Sequence, residues 1–281
     1  MANGRPKDNN AYQLDQQIFP LLEICGWLKH KTENDSYPTN WDCKTFSALQ
    51  AILASKADSW KRYSPLFETD ETPADDDLAY PCHFSSHILL WHTLRELRKY
   101  TEGSERITAL LGISLLDPDE LKQHINANFI AENDGKQIYA YAISQTDSYF
   151  YHDANDIPLV MMPIWGFCDK DDPVWRNTIE FAFSDENPGF YDGVLGSVHT
   201  PAPWALGDAQ ELIMCKVIGD RDRYARVWQR VEKAAQWDGA LPEAYDANTF
   251  EVVSRHWFAW PNAMIAIADS ISWDWEQEAQ A

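Results

Sequence analysis

The chain is short of cysteine, of positive charge and of long apolar runs. Its 281 residues hold five cysteines, Cys25, Cys43, Cys82, Cys168 and Cys215, odd in number, widely spaced and without a C-x-x-C pair. Neither a disulfide framework nor a zinc site is indicated, and a reducing compartment, the cytoplasm first, suits such thiols. Lys and Arg number 23 against 44 Asp and Glu, a formal charge of −21. That balance disfavours nucleic acid or an anionic membrane as partner and makes a neutral ligand the easier one. No stretch reaches the length of a membrane span, and the opening ten residues have no apolar h-region. A G-x-S-x-G elbow, a phosphate-binding loop, a thiol-enzyme signature and a fixed-period repeat are all missing. Asn34-Asp35-Ser36 is a lone glycosylation triplet. The acidic runs Asp75-Asp76-Asp77 and Asp169-Lys170-Asp171-Asp172 lack the alternating spacing of a calcium loop and read as helix caps, so no metal and no cofactor is expected.

What the chain does have is apolar residues, 45% of the total with 13% aromatic, enough for one globular domain over residues 1–281. Their period is mostly helical. Leu14, Ile18, Leu21, Leu22, Cys25 and Leu28 trace a first helix, and Pro20 requires Asp15 to lie in its first turn or just before it. His87, Trp91, Leu94 and Arg98 trace a second, stopped near Gly103 and preceded by the capping-rich run Thr72–Asp77. Asp117-Pro118 and Asp172-Pro173 each open a helix with a cap and a proline. Asp208 and Glu211 have capping-box spacing before a stripe that Gly219 stops, and Tyr224, Val227, Trp228, Val231 and Ala235 form its antiparallel neighbour. Met264 to Ile271 is one more helix. Only Gln137 to Ser144 and Tyr149 to His152 read as strands. The expectation is an α-rich chain of serial helical hairpins with a small β-hairpin insertion.

Chemistry concentrates in Leu241–Asp246 and Ser254–Ala263, which set the carboxylate of Glu243 beside an aromatic wall. Sugars offer flat C–H faces for indole and rims of hydroxyls for planar polar groups, so Arg255, Trp257, Trp260 and Asn262 suit a sugar subsite. The same tryptophans ahead of a helix suit a core, and composition alone favours that reading. His152, Asp153, Asn155 and His199 lie in loops among Gly, Pro and Trp, where hydrogen bonding and catalysis both remain open. Two carboxyls facing each other across a bond are the usual machinery of glycoside hydrolysis, but spacing alone does not choose the pair from 44 acidic residues.

Read in order, the loops resemble those of glycoside hydrolase family 125, the metal-independent exo-α-1,6-mannosidases. Tyr12-Gln13-Leu14-Asp15 with Pro20 is similar to the family's Tyr-Glu-x-Asp-Ser-x-x-Tyr-Pro, and Pro73-Ala74-Asp75-Asp76 to its Pro-Ser-Asp-Asp. Asp153-Ala154-Asn155-Asp156-Ile157-Pro158 is similar to its Asp-Asp-Ala-Asn-Val-Pro. Lys170–Pro173, Asn177-Thr178, Ser184–Pro188, Gly196–Pro201 and Trp257–Trp260 follow in the family's order. The resemblance implies an all-α fold, an (α/α)6 toroid of helical hairpins that is incomplete at its N-terminus. It implies an exo-acting, inverting α-glycoside hydrolase, with Asp15 as general acid and Glu243 as general base. Asp75, Asp76, Asp153, Asn155, His199, Arg255, Trp257, Trp260 and Asn262 would hold the sugar.

Two departures stand out. Pro242 and Ala244 flank Glu243 where the family has His and Ser, and Trp204–Asp208 replaces its Tyr-Ile-Trp-Pro. An α-mannosidase of α-linked oligosaccharides is therefore the first expectation. An α-glucosidase or another six-hairpin specificity is the second, and a carbohydrate-binding remnant the third. Relatives carry over a hundred residues ahead of the acid-bearing helix, including an Arg-Asp-Ser run on the terminal sugar, so either a fragment of a longer chain or a reduced relative is expected.

Overall fold

The computed structural model describes residues 11–33, 62–63, 65–101 and 117–278. Asn34–Ser36, Cys43 and Gly103 lie outside the described residues. The chain folds as two compact units, Met1–Asn128 with Ala142–Gln145, and Phe129–Tyr141 with Thr146–Ala281. Among the described residues no helix is long and apolar enough to cross a membrane.

In the first unit, helix α1 (Leu14–Glu33) packs on helix α2 (Phe84–Thr101). Leu14, Ile18, Leu21 and Cys25 bury one stripe of α1, as their spacing predicts, and α2 answers with Ile88, Trp91, Leu94 and Leu97. Each such side chain removed from water contributes about 1.5–3 kcal/mol. Asp15 does fall in the first turn of α1, and the helix runs on through Pro20, which has no N–H to give the Gln16 carbonyl. Helix α3 (Pro118–Phe129) starts where Asp117-Pro118 predicts: Asp117 Oδ1 accepts from the Asp119 N–H at 2.8 Å. Residues 72–77 do not cap α2. They form a turn closed by Thr72 N–H to Asp76 O (2.9 Å), and the two-residue strand Cys82–His83, paired with Ala142–Ile143, comes between.

In the second unit, helices α4 (Pro158–Met161), α5 (Pro173–Ala182), α6 (Ala205–Ile218), α7 (Arg221–Ala234), α8 (Ala259–Ser270) and α9 (Trp275–Glu278) are joined by short antiparallel strands. Helix α6 is the centre. It is buried without a break from Ala205 to Val217, and α4, α7 and α8 pack against it, so it is buried all round rather than along one stripe, its polar Asp208, Gln210, Glu211 and Lys216 included. Asp172 caps α5 through the Val174 and Trp175 N–H groups, as read from Asp172-Pro173, and Gly219 ends α6 in the left-handed conformation at φ +78°. Asp208 and Glu211 are not a capping box: α6 begins at Ala205 with Trp204 as N-cap, and both carboxylates are buried inside the helix. Close packing also sets the start of α6, because a Cβ on Gly207 would stand 2.0 Å from the Leu195 carbonyl oxygen.

The strands are shorter and more numerous than the sequence reading expects. Ile130–Asn133 pairs with Lys136–Tyr139 through Asp134-Gly135, both at positive φ, and Asp192-Gly193 turns Phe190–Tyr191 onto Val194–Ser197 in the same way. Thr200–Pro203 adds to Val194–Ser197, and Ala244–Tyr245 pairs with Val252–Ser254. The structure is thus helix-rich with several small antiparallel sheets.

Candidate functional site

In the first unit the site residues gather at the entry to α1. Chain before the helix is tied to the 69–76 loop by Tyr12 N–H to Asp70 Oδ2 (2.8 Å), Asp70 N–H to Tyr12 O (2.7 Å) and Leu14 N–H to Thr69 Oγ1 (3.2 Å). Gln13 Nε2 reaches Glu71 Oε2 and Asp75 Oδ1, both at 2.6 Å, and Asp75 stands at φ +64° in the turn its N–H closes to Thr72 O (3.0 Å). Asp75 and Asp76 are therefore brought to the start of α1, Asp75 through its carboxylate and Asp76 through backbone bonds to Thr72. Asp15 is 4% exposed, and its Oδ1 has no hydrogen-bond partner among the described residues. Burial pushes its carboxyl up to about 6, against the pull of buried His83 and with a small addition from Asp75. Such a group suits proton donation near neutral pH. His87 of α2 is structural: Nδ1 donates to the His83 carbonyl (2.6 Å), Nε2 accepts from Phe67 N–H (3.1 Å), and burial lowers the ring to about 4.

In the second unit Glu243 enters the two-residue strand Ala244–Tyr245. It is 3% exposed. Its N–H donates to Arg255 O (3.0 Å), its carbonyl accepts from Ala205 N–H (3.1 Å), Oε2 accepts from Ser254 Oγ (2.5 Å), and Oε1 pairs with Arg255 Nη1 at 3.2 Å. Arg255 sits at φ +44°, an uncommon place for a residue with a Cβ and one that accompanies functional sites. No sequence motif marks Ser254; it meets Glu243 only once Ala244–Tyr245 pairs with Val252–Ser254.

The remaining residues divide by what their polar atoms already do. Asn262 uses its whole amide on backbone, accepting from Leu241 N–H (3.0 Å) and donating to Leu241 O (3.1 Å) and Phe258 O (2.7 Å); it pins the Glu243 loop to α8. Trp257 is 64% exposed with its Nε1 held by Asp238 Oδ2 at 2.8 Å, and Trp260, in the first turn of α8, is half-buried. Asp153 and Asn155 are buried against each other: Asp153 Oδ1 accepts from Asn155 N (2.9 Å) and Nδ2 (2.6 Å), and Oδ2 from Tyr151 Oη (2.5 Å). Burial and then Asp156 raise the Asp153 carboxyl. Gln210 of α6 binds the same loop through Asp153 O, Ala154 O and His152 Nε2. His199 bonds Ser197 Oγ at 2.9 Å and stands edge-on to buried Trp204, ring centroids 5.0 Å apart.

Solved structures of 14–20% identity share this fold. A Streptococcus pneumoniae metal-independent alpha mannosidase, in a non-productive substrate complex with alpha-1,6-mannobiose, superposes with a TM-score of 0.74 at 20% identity, covering 92% of this chain and 68% of that one. A bacterial glucoamylase complexed with acarbose gives 0.64 at 14% identity, over 97% and 42%. In sequence, the meiotically up-regulated gene 157 protein of Schizosaccharomyces pombe is 23% identical over 206 residues, 69% of this chain and 39% of that protein. This chain thus spans about two fifths of the length of that curated relative. The metal-independent alpha-mannosidase model (GH125) matches residues 23–268, which is most of the chain and takes in the Glu243 loop with both tryptophans. On that match the chain belongs to glycoside hydrolase family GH125.

Proposed function

We propose that the protein is an exo-acting, inverting α-mannoside hydrolase for α-1,6-linked oligosaccharides, built as one toroidal domain of helical hairpins. The observation that carries the reading is Glu243: a carboxyl 3% exposed, gripped by Ser254 and Arg255 in a loop beside a 64% exposed Trp257, in a chain of this family. Each carboxylate oxygen has two lone pairs, so both keep an acceptor position for the attacking water after Ser254 and Arg255 are served. Glu243 takes a proton from that water as its oxygen bonds the anomeric carbon. The glycosidic C–O bond breaks with its electron pair going to the leaving oxygen, which takes the proton of Asp15. One displacement inverts the anomeric centre, and both carboxyls return to their starting forms by exchange with solvent.

Trp257 offers the stacking face, Trp260 lines it, and Asp75, Asp76, Asp153, Asn155, His199 and Arg255 bind or orient the sugar. Asn262 contributes by fixing the Glu243 loop. NMR of the first-formed product from an α-1,6-mannobioside should show the β-anomer; retention of the α-anomer would end the inverting scheme. Turnover of α-glucosides with no turnover of α-mannosides would move the assignment to a glucosidase, and sugar binding without turnover to a carbohydrate-binding role.

A further inference from the structure

Two residues beyond Glu243 lies a side chain that the proposed reaction does not touch. Tyr245 is fully buried, and its hydroxyl donates to Asp208 Oδ2 at 2.6 Å. Asp208, buried on α6, accepts from Arg230 Nε of α7 at 2.6 Å through its other oxygen. Arg230 Nη2 donates to Glu211 Oε2 (2.5 Å), and Glu211 Oε1 accepts from Arg223 Nε (2.6 Å). Five side chains from α7, α6 and the loop thus form one connected set with a hydrogen bond at every joint. The same loop is also fastened to the start of α6 through Ala205 N–H to the Glu243 carbonyl. The segment Glu243–Tyr245 is therefore tied to one helix at two points, Ala205 and Asp208.

Stability alone is a poor reason for such a set, since buried ion pairs are commonly replaced by apolar residues at little or no cost. What directional bonds in a dry interior supply is one geometry. Packing would still seat the ring, which stacks on Phe250 with centroids 5.9 Å apart, whereas the hydroxyl bond sets how far the strand can slide or rotate. A general base is sensitive to that, because a misplacement of about 1 Å can cost about a hundredfold in rate.

We propose that Tyr245, Asp208 and Arg230 are positioning residues for Glu243, a relay from α7 that fixes the carboxylate against the attacking water. The proposal rests on reading Glu243 as the base. In the full chain, Tyr245→Phe and Asp208→Asn should each lower kcat by about 10- to 100-fold with KM changed by less than about threefold. The loss should be equal for aryl α-mannosides with good and poor leaving groups, because water activation suffers and leaving-group protonation does not. Arg230→Lys, which keeps the charge and loses the fork, should fall in between, and the double variant Tyr245→Phe/Asp208→Asn should lose no more than the worse single one. Folded variants with unchanged kcat would overturn the proposal, as would losses confined to poor leaving groups. If Tyr245→Phe does not fold, Asp208→Asn and Arg230→Lys decide on the same readouts. Glu243→Gln run in parallel separates the two failures: its full activity removes the base assignment itself, while an inactive Glu243→Gln beside an unaffected Tyr245→Phe removes only the relay.

Discussion

Asp15 and Glu243 are buried to the same degree, 4% and 3% exposed, and their surroundings are opposite. The Asp15 carboxyl has an oxygen with no partner among the described residues and is pushed up to about 6 by burial. Glu243 is met by a hydroxyl at 2.5 Å and a guanidinium at 3.2 Å. Burial therefore does not decide what a carboxyl is for; the donors that burial brings with it do. Both loops also hold a non-glycine residue at positive φ beside the carboxyl, Asp75 at +64° and Arg255 at +44°. In one the strained residue serves the helix start that carries Asp15. In the other it supplies the counterion.

The comparison breaks most directly in turnover. Glu243→Gln should lower kcat by about 10²–10⁴-fold on every substrate, because an amide takes no proton from water. Asp15→Asn should cost as much on alkyl mannosides and far less on dinitrophenyl mannoside, whose leaving oxygen needs little protonation. Equal losses from Asp15→Asn on both substrates would remove the acid role. For the wild type, kcat/KM should fall as pH rises through about 6, where Asp15 gives up its proton.

Stability sharpens the same contrast. The folded state holds the Asp15 proton more tightly than the unfolded chain, whose ordinary value is 3.8. Below about 4 both states are protonated. Between about 4 and 6 only the unfolded chain ionises, so stability drains away as pH rises, and above about 6 the penalty is complete. Asp15→Asn should therefore raise stability at pH 7.5 by roughly 1–3 kcal/mol and at pH 4 by no more than about 0.5 kcal/mol. Ser254→Ala should act in the other direction, costing about 1–3 kcal/mol by leaving a buried carboxylate short of a donor. Urea melts of both variants at pH 4 and 7.5 measure the difference, and Asp15→Asn less stable than wild type at pH 7.5 would contradict it.

The smallest effect separates two tryptophans. Trp257, 64% exposed, should lose about 1–3 kcal/mol of sugar affinity on change to Ala with no shift in melting temperature, as judged by calorimetry with an α-1,6-mannobioside. Trp204, 1% exposed and hydrogen-bonded to Thr200 O, should unfold far more easily in the same change. Reversal of that pattern would make Trp257 part of the core.

Helices were legible because their evidence is local. The stripe Leu14, Ile18, Leu21, Cys25, the cap at Asp172 before Pro173 and the stop at Gly219 each depend on residues within a turn or so, and each is found where its spacing puts it. Strands of two to four residues are too short to show a period of two; their turns, Asp134-Gly135 and Asp192-Gly193, are known as such only from the structure, which holds them at positive φ between paired strands. Polar duties were not legible. Asp208 and Glu211 carry capping-box spacing, yet they meet Arg223, Arg230 and Tyr245, up to 37 residues along the chain. Asn262 looks like a sugar ligand and spends its amide on a loop 21 residues away. Backbone periodicity repeats every few residues and is written in neighbouring side chains. A buried polar group must instead be satisfied by whichever donor or acceptor the fold delivers, and that is settled only when distant segments pack.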